Sequence, residues 1–221
     1  SIRRKEAMDT SKQLAFYFDQ NRCTGCQTCV VACKDWNQIK PGPATYRELH
    51  DIEEGKFPNV NVFMTIYSCN YCENPACVDA CVFEAIYKRQ EDGIVIIDRD
   101  KCEGAGDCKL ACPYSAPQFA SDEQEEPTLD KDTTDTNGHT AMKCTMCWDR
   151  VAIGETPVCV SSCLARALDF GTIDYLMQKY PDAQTLKSGG KLKGFPMDDK
   201  GSDGRTLEKP TGPSFLFKAK A

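Results

Sequence analysis

The sequence predicts an α+β fold of short strands and short helices built around cysteine loops, closed by a loop-rich C-terminal tail. Three observations predict it. Fifteen of the 221 residues are cysteines in four tight groups: Cys23, Cys26, Cys29 and Cys33; Cys69, Cys72, Cys77 and Cys81; Cys102, Cys108 and Cys112; and Cys144, Cys147, Cys159 and Cys163. Short apolar stretches of strand character run directly into the first three groups. The apolar share is 41% with the cysteines included, which is thin for one broad core.

The elements follow in order. Residues 13–19 (QLAFYFD) read as a strand feeding the first group, and 30–36 as one or two helical turns beyond it. Pro41-Gly42-Pro43 breaks the chain, and 61–68 (NVFMTIYS) reads as a strand delivering the second group. Asn74-Pro75 opens a short helix through Cys77 and Cys81. Residues 85–88 and 94–98 flank Glu91-Asp92-Gly93, a hairpin signal leading straight into the third group. Groups two and three are thus joined by a compact helix–hairpin linker, with groups one and four outside it. After Cys163, residues 167–172 suit a strand and 173–180 a helical turn or two. Residues 181–213 are rich in Gly, Lys, Asp and Pro and read as a tail, whose apolar end at 214–218 (SFLFK) is expected to pack on something.

The cysteine spacing points to iron–sulfur chemistry. The first group reads C-x2-C-x2-C-x3-C, the run in which bacterial ferredoxins use three cysteines on one cluster and the fourth on its neighbour. The third reads C-x5-C-x3-C-P, the same run with Ala105 where a cysteine would stand. A disulfide scaffold fits poorly, because the count is odd, the sequence is long, and cysteines three apart crowd single loops. Zinc is the stronger rival. Its ribbons use two separated pairs per ion, and only the fourth group, C-x2-C-x11-C-x3-C, has such a spacing. Metal sites of this density contribute folding energy, so the metal-free chain is expected to be largely disordered.

Composition narrows the partners. A net charge of −6 and the lack of a basic stripe argue against nucleic acid. The acidic stretch 121–135 reads as a solvated loop. No apolar run approaches the ~18–20 residues needed to span a bilayer. Arg3-Arg4 is followed by Lys5, Glu6 and Asp9 without a hydrophobic stretch, so no secretory or twin-arginine signal is read there. Cytoplasmic residence and export bound to a partner both stay open. Catalytic machinery is not found: His50 and His139 read as surface residues, and no glycine-rich phosphate loop precedes a helix. Tyr71, Phe119 and Trp148 read as shields beside the cysteines. Arg22, Lys34, Lys101, Lys109, Lys143 and Arg150 flank the groups, where cations would favour a reduced centre or simply sit in solvent.

The runs RCTGCQTC (22–29), CNYCENPAC (69–77), ACPYSAPQ (111–118), KCTMCWDR (143–150) and RALDFG (166–171) resemble the four-cluster subunits of the dimethyl sulfoxide reductase family of molybdopterin oxidoreductases. The tail segment 209–218 (KPTGPSFLFK) is similar to that family's closing segment. The resemblance implies an electron-transfer subunit of anaerobic respiration, relaying electrons between a large molybdopterin catalytic subunit and a membrane anchor or soluble redox partner. A free-standing polyferredoxin that docks on several enzymes is the alternative.

The ligand scheme implied by the resemblance gives Cys23, Cys26, Cys29 and Cys163 to one cluster, and Cys33, Cys144, Cys147 and Cys159 to the second. Cys69, Cys72, Cys77 and Cys112 share the third, and Cys81, Cys102 and Cys108 the fourth. It also implies two bacterial-ferredoxin-like dicluster units, one inserted in the other. The four-cluster region is 1–180 with an inner unit at about 62–120, and the tail 181–221 packs on a partner subunit. Proline follows only Cys112; Lys34, Val82 and Leu164 follow the other group-ending cysteines. Three [4Fe-4S] clusters and one [3Fe-4S] cluster are expected, the last beside Ala105, with a fourth [4Fe-4S] completed by Glu103, Asp107 or solvent as the alternative.

Overall fold

A computed structural model describes residues 13–121, 124 and 140–220. The central sheet has three strands in the order β6-β1-β7, where β1 is Leu14–Asp19, β6 Leu168–Thr172 and β7 Phe215–Lys218. β6 runs antiparallel to β1 and β7 parallel to it. Every residue of β1 is buried, which explains its unbroken apolar run. Leu14, Phe16 and Phe18 face the main core, while Ala15 and Tyr17 pack with Leu176 and Leu216 on the opposite face. Tyr17 stacks on Tyr180 at 3.8 Å between ring centroids.

Two hairpins complete the strands. β2 (Arg47–Lys56) pairs with β3 (Asn59–Ser68) from Arg47↔Ser68 to Lys56↔Asn59, and β4 (Ile86–Lys88) pairs with β5 (Val95–Ile97). Only β3 of the long hairpin was expected, and it starts two residues earlier than expected. β2, RELHDIEEGK, carries too many acidic residues to read as a strand alone, and pairing with β3 overrides that weak propensity.

The helices are short. α1 is Thr28–Trp36, α2 Ala76–Asp79, α3 Asp107–Ala111, α4 Trp148–Ala152, α5 Val158–Ser161 and α6 Ile173–Lys179. α1 packs on α5 and α2 on α3. α2 ends before Cys81 rather than passing through it. Thr172 Oγ1 caps α6 by accepting from the Tyr175 amide at 3.2 Å.

The tail departs most from expectation. Phe215, Leu216 and Phe217 are 3%, 1% and 0% exposed as a strand of the chain's own sheet, and Leu186, Leu192 and Phe195 are buried with them. The Phe195 ring lies 5.2 Å from Tyr114 and 5.1 Å from Phe215. Ser214 N donates to Asn70 O, Asn74 N to Thr211 O and Glu73 N to Gly212 O, each at 2.8–2.9 Å, tying the tail to the second cysteine loop. These apolar residues are therefore buried within the chain's own fold. Burying side chains of this size contributes about 1.5–3 kcal/mol each.

The acidic stretch and His139 lie outside the described residues except for Ser121 and Gln124. Gln124 is buried: its Oε1 accepts from Ala44 N, and its Nε2 donates to Lys40 O and Ala44 O, all at 2.9 Å.

Candidate functional site

Strand ends deliver the cysteine loops. β1 stops four residues before Cys23, β3 stops immediately before Cys69, and β5 leads through a 3-10 turn (Arg99–Lys101) to Cys102. Left-handed backbone then curls each loop. Gly25 has φ 73°, and a Cβ there would meet the Met64 side chain at 2.9 Å, so the tight first loop needs glycine.

The structure gathers the fifteen thiols, none of them in a disulfide, into four sets. Cys23, Cys26, Cys29 and Cys163 line one recess with Phe18, Leu49, Ile66 and Leu168. Cys33 faces Cys144, Cys147 and Cys159. Cys77 faces Cys69, Cys72 and Cys112. Cys81, Cys102 and Cys108 line another recess, whose wall includes Ala105, Glu103, Asp107 and Phe119. Neighbouring sets face each other through Cys29 and Cys159, Cys144 and Cys69, and Cys108 and Cys112.

Burial dominates the electrostatics of the thiols. It pushes Cys112 and Cys147 up to about 12, and Cys108 and Cys159 to about 11, with neighbouring thiols adding to the rise. Cys26 is the opposite case: exposed, and lowered by hydrogen bonding to Thr28, whose Oγ1 lies 3.3 Å from the sulfur. Metal binding to thiols raised in this way displaces their protons.

The donors fit iron–sulfur clusters. Among the described residues no three His, Cys, Asp or Glu side chains converge on a point that would hold a single metal ion. The thiols of the first and fourth sets instead line recesses, as ligands around a multi-iron group must. Backbone amides already point at sulfur: Ala141 N at Cys102 Sγ and Ala167 N at Cys163 Sγ, both 3.3 Å, and Ala116 N at Cys112 Sγ and Met146 N at Cys144 Sγ, both 3.5 Å. Hydrogen bonds of this kind tune cluster potential.

A family model for the 4Fe-4S dicluster domain matches residues 60–173, about half the chain, and one for a 4Fe-4S binding domain matches 14–35. An anaerobic dimethyl sulfoxide reductase chain of Escherichia coli K12 is 42% identical over 178 residues, covering 77% of this sequence and 78% of that one. The protein belongs to the iron–sulfur subunits of the dimethyl sulfoxide reductase family. A sulfite dehydrogenase subunit of Allochromatium vinosum is 33% identical over 73% of this sequence and 69% of its own. The perchlorate reductase beta subunit of Dechloromonas aromatica is 30% identical over 74% and 66%. As a member of this family the protein is the electron-transfer subunit of a molybdopterin-dependent oxidoreductase, and the docking polyferredoxin reading gives way.

The remaining candidates divide. Tyr71 is fully buried, its hydroxyl donating to Cys144 O at 2.7 Å between the second and third sets. Phe119 lines the fourth recess, whereas Trp148 is 48% exposed. Of the six flanking cations, Lys143 alone is buried, its Nζ donating to Cys144 O at 3.2 Å and to Val95 O. His50 is exposed on β2 beside Glu48, at 2.8 Å. Sequence reasoning missed Arg47, 1% exposed among the thiols, because the strand carrying it was missed. No helix among the described residues is long and apolar enough to cross a membrane.

Proposed function

We propose that the four thiol sets hold four iron–sulfur clusters. Cys23, Cys26, Cys29 and Cys163 take the first; Cys33, Cys144, Cys147 and Cys159 the second; Cys69, Cys72, Cys77 and Cys112 the third; Cys81, Cys102 and Cys108 the fourth. The carrying observation is that each set draws thiols from loops distant in sequence, so that Cys33, Cys81, Cys112 and Cys163 each leave their own group for its neighbour's set. The packing of α1 on α5 and of α2 on α3 supports an inner dicluster unit, about 62–120, inserted in an outer one.

Bound clusters supply one-electron centres of tunable potential. The protein's own residues hold them in order, exclude water with Tyr71 and the aromatic core, and donate amide hydrogen bonds to sulfur. The first three sets, with four thiols each, take [4Fe-4S] clusters. The fourth has only three, and the Ala105 methyl cannot bind iron, so it takes a [3Fe-4S] cluster. The partner is a large catalytic subunit carrying molybdopterin, in keeping with relatives that are each named as one component of a reductase. A membrane anchor or soluble redox protein completes the path at the far end.

Anaerobic purification of the native assembly tests the whole reading. It should yield a pterin-containing large chain, with iron one atom short of four complete cubanes. Zinc in place of iron, or an assembly without a pterin, would overturn it.

A further inference from the structure

β2 opens with Arg47, whose side chain enters the space between the first and second thiol sets. It is 1% exposed, and Nε, Nη1 and Nη2 find no hydrogen-bond partner in the protein. The charges that act on it are sulfur: Cys159, Cys144 and Cys33 from the second set, and Cys29 from the first. The guanidinium carbon lies 4.9 Å from the centroid of the Phe16 ring, whose face adds a weak attraction.

A buried charge without partners is costly, and an arginine cannot escape by losing its proton. Lys143, another buried cation beside the thiols, has the carbonyls of Val95 and Cys144 for acceptors. The Arg47 side chain has no acceptor within the protein, and the groups of opposite charge around it are the thiols of the two sets. We propose that Arg47 is a redox-positioning residue shared by the first and second clusters, holding one fixed positive charge against the sulfur of both. The role rests on the reading that those sets hold clusters. The cation stabilises the added electron on either side and so raises both potentials. It also offsets the repulsion between two electrons held on adjacent clusters, which lets both be reduced together.

The test is a redox titration followed by electron paramagnetic resonance on the intact assembly carrying Arg47→Met or Arg47→Lys. The first and second clusters are identified by the signals that Cys26→Ser and Cys147→Ser remove. Arg47→Met should lower both of their potentials at unchanged iron content and leave the third and fourth in place, and Arg47→Lys should recover most of the shift. Unmoved potentials at full iron content, or an equal shift of all four, overturn the assignment. If Arg47→Met loses iron, Arg47→Lys decides: near-native potentials uphold the charge, and iron loss there too overturns it in favour of a packing role. A wild-type assembly with no iron in these two sets would defeat the cluster reading itself, a result distinct from iron-replete variants whose potentials stay still.

Discussion

Ala105 is exposed on the loop between Gly104 and Gly106, both left-handed at φ 73° and 88°, just before α3. It stands on the wall of the fourth recess and is not among the residues of positive φ, so a larger L side chain is tolerated there. Ala105→Cys adds a fourth thiolate to Cys81, Cys102 and Cys108. The expected result is one more iron per chain and loss of the three-iron resonance from the oxidised protein, with a lower potential at that site. Persistence of that resonance at unchanged iron content would show that the missing thiolate is not what sets the nuclearity. The four cysteine groups were legible in the sequence because each is a local run with fixed spacing. Arg47 was not, because its meaning arises only when residues 29, 33, 144 and 159 come together around it.

At the scale of elements, α1 carries Cys29 and Cys33 one turn apart, both buried, and presents them to different sets. Cys33→Ser should remove the second cluster and also disturb the first, since α1 packs on α5 and both sets depend on that contact. Iron analysis with paramagnetic resonance checks this: a clean loss of one cluster with every other signal unchanged would mean the two sets are less coupled than the helix implies. Strands β1 and β3 were readable from apolar runs ending at cysteine loops, and β6 from one that follows Cys163. β2 was not, because its acidic sequence becomes a strand only by pairing with β3. The end of the tail was recognised as apolar, but nothing local indicates that it returns to β1.

For the molecule as a whole, the cysteines are part of the core. Cys29, Cys33, Cys69, Cys77, Cys108, Cys112, Cys144 and Cys159 lie in the same packed cluster as Phe16, Tyr71, Phe170 and Phe217. Stripping iron with a chelator under oxidant should therefore loosen the entire fold, not four isolated loops. Circular dichroism and limited proteolysis would show loss of strand signal and cleavage throughout residues 13–220. A metal-free protein that keeps its strand signal and resists protease would show that the apolar core suffices alone.

The partnership of β1 with β7 sets a timetable for synthesis. Phe16 pairs with Phe215, about 200 residues later, and with Phe170 on its other side. At roughly 5–20 residues per second, the ribosome needs about 10–40 s to travel from one to the other. Until β6 emerges LAFYFD is without either neighbour, and its second edge stays open until β7 follows, the kind of edge that invites aggregation. Cys23 and Cys29 wait with it, because Cys163, which completes their set, also emerges late. Assembly of the first cluster is thus a late event in the life of the nascent polypeptide, whatever the supply of iron.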